Sequence, residues 1–183
     1  MESGEFIALV GRNPAIAAIL DRMAELEAPD AWLTAGCLSQ TVWNLKSGRP
    51  AGEGIRDYDL FYFDQDMSWE AEDAVIRRAG ALFADLGVPV EVRNQARVHL
   101  WFAEKFGYEI APIRSARDGI DRFLFSTVCI GIAADGQLYA PYGLQAMLAG
   151  VLRPNPADPR LDKMRAKAED YRARWPWLRV ETA

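Results

Sequence analysis

The segment Ala31-Trp-Leu-Thr-Ala-Gly-Cys-Leu-Ser39, followed by Arg56-Asp-Tyr-Asp-Leu-Phe-Tyr-Phe-Asp64, constrains the fold more than any other part of the chain. The first piece predicts a short strand over Ala31 to Ala35, stopped by Gly36, which opens a helix over Leu38 to Lys46. The second predicts a strand over Ile55 to Phe63 that carries two carboxylates. Residues i and i+2 of a strand share a face, so Asp57 and Asp59 point together while Tyr58 points away. Two neighbouring carboxylates repel, and a cation between them relieves the repulsion. Hard oxygen donors suit Mg²⁺ or Mn²⁺, and Mg²⁺ commonly completes its shell with water and substrate phosphates.

The intervening Ser47-Gly-Arg-Pro-Ala-Gly-Glu-Gly54 reads as a loop, with three glycines and a proline in eight residues. Helical periodicity places a helix over Asn13 to Leu26, with Asn13-Pro14 as cap and first turn. A second runs from Ser68 to about Leu86, closed by Gly87. Pro89 to Val92 is a third strand, and Glu91 stands alone between two valines on it. Strands alternating with helices predict a mixed α/β (α+β) core with a mixed central sheet flanked by helices. Beyond Asn94, the expected elements are helices over Gln95 to Phe106 and Ser115 to Leu124, then a hairpin of Ser126–Ala133 and Gln137–Ala140 around Ala134-Asp135-Gly136. A helical Gly143–Val151, a proline-rich break over Arg153–Pro159 and a charged helix over Leu161–Arg174 follow. The charges of Lys163 to Arg174 are expected to form a solvated face. The division expected from this pattern is a core over 1–110 and, over 111–183, an extension packed on it rather than an independent domain.

Half of the residues are hydrophobic and 11% are aromatic, enough for a substantial core. A formal net charge of −5 and a pI of about 5.0 argue against a bulk drive toward long nucleic acid or an anionic membrane. Cys37 and Cys129 lack metal-ligand or framework spacing. No apolar run approaches the roughly 20 residues of a membrane span, and the opening Met-Glu-Ser-Gly-Glu lacks a basic leader region. The expected location is the cytoplasm.

A glycine turn after one strand and an acid-x-acid on the next are elements of a nucleotidyl-transfer site. Gly36 lets a backbone amide and a helix N-terminus approach phosphates. Asp57 and Asp59 hold one or two divalent ions against them, and Glu91 is the candidate third acid, as ligand or as base for an attacking hydroxyl. A salt bridge from Glu91 to Arg56 or Arg93 is the plainer alternative. Arg93, Asn94, Gln95 and Arg97 form the densest polar group near Glu91. From there Asn94 and Arg97 can reach phosphate or acceptor, or can cap and solvate a helix. His99, the sole histidine, is either a packed side chain or a substrate contact. Trp43 and Trp101 are core residues or base-stacking platforms. Asp64 and Asp66 read as strand-end and helix-entry residues.

At these positions the chain resembles the polymerase-beta-like nucleotidyltransferase superfamily, which combines a Gly-Ser or Gly-Gly turn, an acid-x-acid strand and a later acid. It is more closely similar to a bacterial family of nucleotidyltransferase-like proteins of unsettled substrate. The matching segments are Ala35-Gly-Cys-Leu38 with Thr41-Val-Trp-Asn44, Asp57-Tyr-Asp59 with Tyr62-Phe-Asp64, and Ser68-Trp-Glu70. Further along they are Glu91-Val-Arg-Asn-Gln-Ala-Arg97 with His99-Leu-Trp101, Pro141-Tyr-Gly-Leu144, Arg153-Pro-Asn155 and Trp175-Pro176. The resemblance implies metal-bound acids at Asp57, Asp59 and Glu91. Cys37 stands where the superfamily usually has Ser or Gly, and Ser39 where related turns often carry Arg, so Ser39 or Gln40 is expected to replace the missing phosphate contact. The function expected is Mg²⁺-dependent transfer of a nucleoside monophosphate from a nucleoside triphosphate to a hydroxyl acceptor. A catalytically inactive nucleotide-binding module and a metal-dependent phosphoester hydrolase are the alternatives.

Overall fold

The computed structural model describes residues 1–157 and 160–181. Helix α1 (Ser3–Val10) opens with a capping box between Glu2 and Glu5, and was not expected from the sequence pattern. Asn13 caps α2 (Pro14–Arg22) by accepting from the Ala15 N–H, and a 3-10 turn over Met23–Leu26 extends it. Strand β1 (Trp32–Thr34) leads into α3 (Gly36–Lys46), and β2 (Tyr58–Tyr62) follows the glycine-rich loop. Helix α4 (Trp69–Leu82), capped by Ser68, crosses over to β3 (Val90–Asn94). A crossover of this length lets two strands run parallel, and β2 and β3 do so.

The second half contains α5 (Val98–Phe106), α6 (Ala116–Ile120), and the antiparallel strands β4 (Gly131–Ala133) and β5 (Leu138–Tyr139). After these come α7 (Gln145–Leu148), β6 (Val151–Leu152), α8 (Leu161–Arg174) and β7 (Arg179–Val180). The main sheet has the order β3-β2-β1-β4-β5, with β1 antiparallel to both β2 and β4. It is a mixed sheet flanked by helices, as the alternation predicted. Its hairpin strands come from beyond residue 110, and β4 pairs directly with β1.

The two faces of the sheet are chemically different. Leu33, Tyr58, Leu60, Tyr62, Val92 and Ile132 join the main core with side chains of α1 to α4 and α8. On the opposite face Trp32 packs with Ala116, Ile120 and Cys129, against Phe61, Phe63 and Tyr139. The alternating burial of β2 therefore places Asp59 and Phe61 on the second face, away from the main core.

Several elements are shorter than the periodicity predicted. The helix expected over Ser115–Leu124 ends at Ile120, and Phe123 turns back to stack on Phe61 with ring centroids 5.6 Å apart. The helix expected over Gly143–Val151 is confined to Gln145–Leu148 because Gly150 adopts φ +68. Val151 and Leu152 then form a parallel pair with β7. A Cβ on Gly150 would run into the Trp177 ring. Gly150→Ala combines left-handed backbone strain with overpacking and is expected to cost about 2–4 kcal/mol, read as a lower urea midpoint with an unchanged slope.

Candidate active site

Asp57 immediately precedes β2, and Asp59 lies within it opposite Thr34 of β1 and Glu91 of β3. The parallel register is what sets Glu91 beside Asp59, since the two strands are separated by the whole of α4. Burial pushes the Asp59 carboxyl up to about 7. The negative charges of Asp57 and then Glu91 add to the shift, and Lys167 and Arg93 oppose it. Desolvation and like charge both disfavour the ionised form. Glu91 itself is half-exposed and pairs with Arg93 at 3.3 Å, the plainer alternative raised by its sequence context. Among the described residues, no group of three or more His, Cys, Asp or Glu is arranged to hold a metal ion. The donor set is thus a carboxylate pair with Glu91 at its margin. That chemistry fits Mg²⁺ or Mn²⁺ completed by substrate phosphates, rather than a closed protein cage.

The turn before α3 differs from the expected glycine turn. The unusual backbone is at Ala35, with φ 56 and ψ −120, while Gly36 is already helical. Ala35 N–H and Thr34 Oγ1 both donate to Ile130 O, at 3.0 and 2.8 Å, and lock the turn to the segment preceding β4. Gly36 has a different use: a Cβ there would approach Gln40 Nε2 to 2.8 Å. Leu38 and Ser39 return their N–H groups to Ala35 O. The N–H groups of Gly36 and Cys37, at the helix start, have no carbonyl one turn back within α3.

The side chains of this turn point mostly inward. Cys37 is fully buried, its Sγ lies 3.5 Å from Thr34 O, and burial with the charges of Asp59 and Asp57 pushes its thiol well up. It is unsuited to act as a nucleophile at neutral pH. Ser39 is buried and donates to Gly36 O at 3.2 Å. Gln40 lies against Gly36 and accepts from Arg174 at 2.8 Å. Of the two side chains expected to replace a phosphate contact, Gln40 borders the turn and Ser39 faces its own helix.

Asn94 and Arg97 are brought together, although by a structural network. The Asn94 amide donates to Asp64 O and Asp66 O and accepts from the N–H groups of Asp64 and Ala96, which uses its full capacity. Buried Glu72 receives the Asn94 N–H at 2.9 Å and Arg97 Nε at 2.7 Å. Arg97 also bonds Met67 O and lies over the Trp69 ring. These residues clamp the loop from Asp64 to Ser68. His99 sits on α5, partly buried, with a buried Nδ1 that has no hydrogen-bond partner. Trp43 is fully buried and donates to Met147 O, which removes it as a stacking platform.

Two features were missed in the sequence. Helix α8 packs its inner side into the core and lies within electrostatic reach of the acids, instead of presenting a solvated face alone. Lys167 acts on Asp59, and Asp170 bridges Arg56 at 3.2 Å and Arg174 at 2.6 Å. Tyr171 is buried, and burial drives its phenol far upward, with Asp57 and Asp59 adding to the effect. The spacing of Lys167, Asp170, Tyr171 and Arg174 is i, i+3, i+4 and i+7, one helical stripe, and that was the available signal. The second feature is a cavity of about 650 Å³ whose lining includes Phe61 and Arg93.

A nucleotidyltransferase family model matches residues 21–180. The chain belongs to that family. An NMR structure described as revealing a CCA-adding enzyme head domain has the same fold, with a TM-score of 0.77 at 23% identity, over 98% of this chain and 96% of that one. A structure described as tRNA-processing enzyme complex 3 gives a TM-score of 0.53 at 16% identity. It covers 88% of this chain and 43% of that one, so the present chain spans less than half its length. No curated protein matches. Family membership makes the chain a nucleotidyltransferase by class. No helix among the described residues is long and apolar enough to cross a membrane.

Two outcomes follow for this nucleotidyltransferase. Because the folded pKa of Asp59 lies above its usual carboxylate value, the native state binds the extra proton between about pH 4 and pH 7. Metal-free stability is therefore expected to fall as pH rises through that window and to level off above it. In a chelator, Asp59→Asn should be more stable than wild type at pH 8 by on the order of a few kcal/mol, the gap closing toward pH 4. Parallel stability–pH curves from urea denaturation would contradict this. Separately, Ala35→Gly relieves the positive φ at some entropic cost and is expected to add about 1 kcal/mol of stability.

Proposed function

We propose that the chain transfers a nucleoside monophosphate from a nucleoside triphosphate to a hydroxyl acceptor, with Mg²⁺ or Mn²⁺ held by Asp57 and Asp59. The carrying observation is the carboxylate pair: Asp59, raised to about 7 by burial and its acidic neighbours, stands on the strand beside the one that feeds the N-terminus of α3. A bound divalent ion would supply neutralisation of charge on the α-phosphate. The Gly36 and Cys37 amides, at the positive end of α3, face the triphosphate. Gln40, braced by Arg174, and Lys167 add polar and positive groups at its edge.

In the reaction the acceptor oxygen forms a bond to the α-phosphorus. The bond from that phosphorus to the bridging oxygen breaks, and its electron pair leaves on pyrophosphate. The hydroxyl proton passes to Glu91, whose half-exposed carboxylate lies one strand from Asp59. A second reading, a nucleotide-binding module without turnover, draws on the inward Cys37 and Ser39 and on the Glu91–Arg93 pair.

Calorimetric titration of Mg²⁺–ATP and Mg²⁺–GTP, with pyrophosphate release measured across an acceptor panel, separates the two. Metal-dependent binding that Asp57→Asn/Asp59→Asn abolishes, with pyrophosphate release, is the expected result. Binding without release favours the module. Absence of metal-dependent binding in the wild type sinks the transferase reading, absence of any nucleotide binding sinks both, and phosphate release from simple esters would instead indicate a hydrolase. Glu91→Gln is expected to lower kcat by about 10²-fold or more with little change in nucleotide affinity.

A further inference from the structure

The cavity of about 650 Å³ is not accounted for by triphosphate binding, and its position is informative. Phe61 and Arg93 lie two residues beyond Asp59 and Glu91 on paired strands, about 7 Å along the same sheet face. Strand β1 runs the other way. Trp32 is opposite Phe61 and Thr34 opposite Asp59, so the chain enters α3 at the end of the sheet away from Phe61. The α3 turn and the cavity therefore flank the acid pair from opposite ends. Nucleotidyl transfer needs the attacking and leaving oxygens roughly in line across the phosphorus, and this arrangement separates them in that sense.

The lining defines a ligand class. Phe61 and Phe123 are stacked at 5.6 Å, and Phe102 meets Tyr108 edge-on at 5.2 Å and Phe106 at 4.5 Å, with Trp101 beside them. Walls of this kind favour a flat π-system. The charges around them roughly balance: Arg93 pairs with Glu91 at 3.3 Å, Arg122 with Asp118 at 3.1 Å, and the Asp121 carboxylate shares the lining with Arg160, which also bonds the neutral Tyr108 hydroxyl. Such a cavity has no strong demand for an anion. Its volume is that of a small-molecule site, and the net charge of −5 works against a polyanion.

We infer that this cavity is the acceptor site, and that the acceptor is an uncharged planar aromatic small molecule bearing a hydroxyl group. The inference rests on the nucleotidyl-transfer reading for the identity of the acid pair, while the ligand class rests on the cavity alone.

The test uses 2-naphthalenemethanol as probe, cyclohexanemethanol as a non-planar control, and a short single-stranded RNA with a free 3′-hydroxyl. Ala111→Trp fills the cavity from an exposed lining position and leaves the core intact. By NMR titration the naphthyl alcohol should bind saturably and about tenfold more tightly than the control, a difference of one good aromatic contact. Ala111→Trp should weaken it by about tenfold or more without altering the affinity for Mg²⁺–ATP or Mg²⁺–GTP. The probe and nucleotide should bind together, and Asp57→Asn/Asp59→Asn should lose nucleotide while retaining the probe. No saturable probe binding, or no preference over the control, overturns the inference. So does competition between probe and nucleotide, which would make the cavity a base pocket, and so does RNA binding that Ala111→Trp abolishes. Probe binding with no nucleotide binding in the wild type removes the acceptor role together with the nucleotidyl-transfer reading, and leaves the cavity as a site for planar aromatics.

Discussion

Everything around the site depends on a helix with almost no solvent-facing side. Eight consecutive residues of α3, Cys37 to Asn44, are buried. A helix enclosed in this way has to satisfy its polar side chains internally; Ser39 does so within the helix, and Thr41, Asn44 and Gln40 each bind a different part of the chain. Thr41 accepts from Asn13 at 3.0 Å, which ties in the cap of α2. Asn44 donates to Ala51 O and Glu53 O and accepts from Trp175, fixing both the glycine-rich loop and the end of α8. Gln40 accepts from Arg174. Removing any one partner leaves a desolvated group behind, which costs more than the bond itself contributed. The helix start facing the acids is thereby held by contacts distributed over most of the fold.

The electrostatics of the acid pair follow from that packing. Asp59 lies on a sheet face flanked by buried structure, next to Asp57 and Glu91, and the desolvation that raises it to about 7 is the same effect that raises Cys37 and Tyr171 nearby. Lys167 opposes that shift at Asp59, and Arg56, next to Asp57 in the chain, pairs with Asp170 of α8, which also binds Arg174. The site is a negative locus with a basic margin, an arrangement that suits a cation and a phosphate together.

Where local pattern and structure disagree, long-range contact decided the outcome. The 3.6-residue periodicity of Gly143–Val151 was real, yet Gly150 packs against Trp177, 27 positions away, and the chain switches to a strand. Asn94 and Arg97 were recognisable as a polar cluster beside Glu91. Their assignment to the loop at Asp64 to Ser68 depended on Glu72, a buried carboxylate on α4 that no local spacing links to them. The turn was recognisable too, although the strained residue is Ala35 and not its glycine neighbour. Which residue takes a positive φ depends on the hydrogen bonds to Ile130.

The amino-acid sequence by itself determined the order of strands and main helices, the placing of Asp59 on the second strand with Asp57 just before it, and the family resemblance. Those properties arise from backbone periodicity and from motifs only a few residues long. The tertiary structure decided the rest: the register of Glu91 beside Asp59 and its pairing with Arg93, and the inward direction of Cys37 and Ser39. It also brought α8 within electrostatic reach of the acids and the aromatic rings of β2, α5 and the segment after α6 around one cavity. These depend on which buried polar groups find partners and which strands pair across a long crossover. Both are set by contacts between residues far apart in the chain, where no local pattern carries the information.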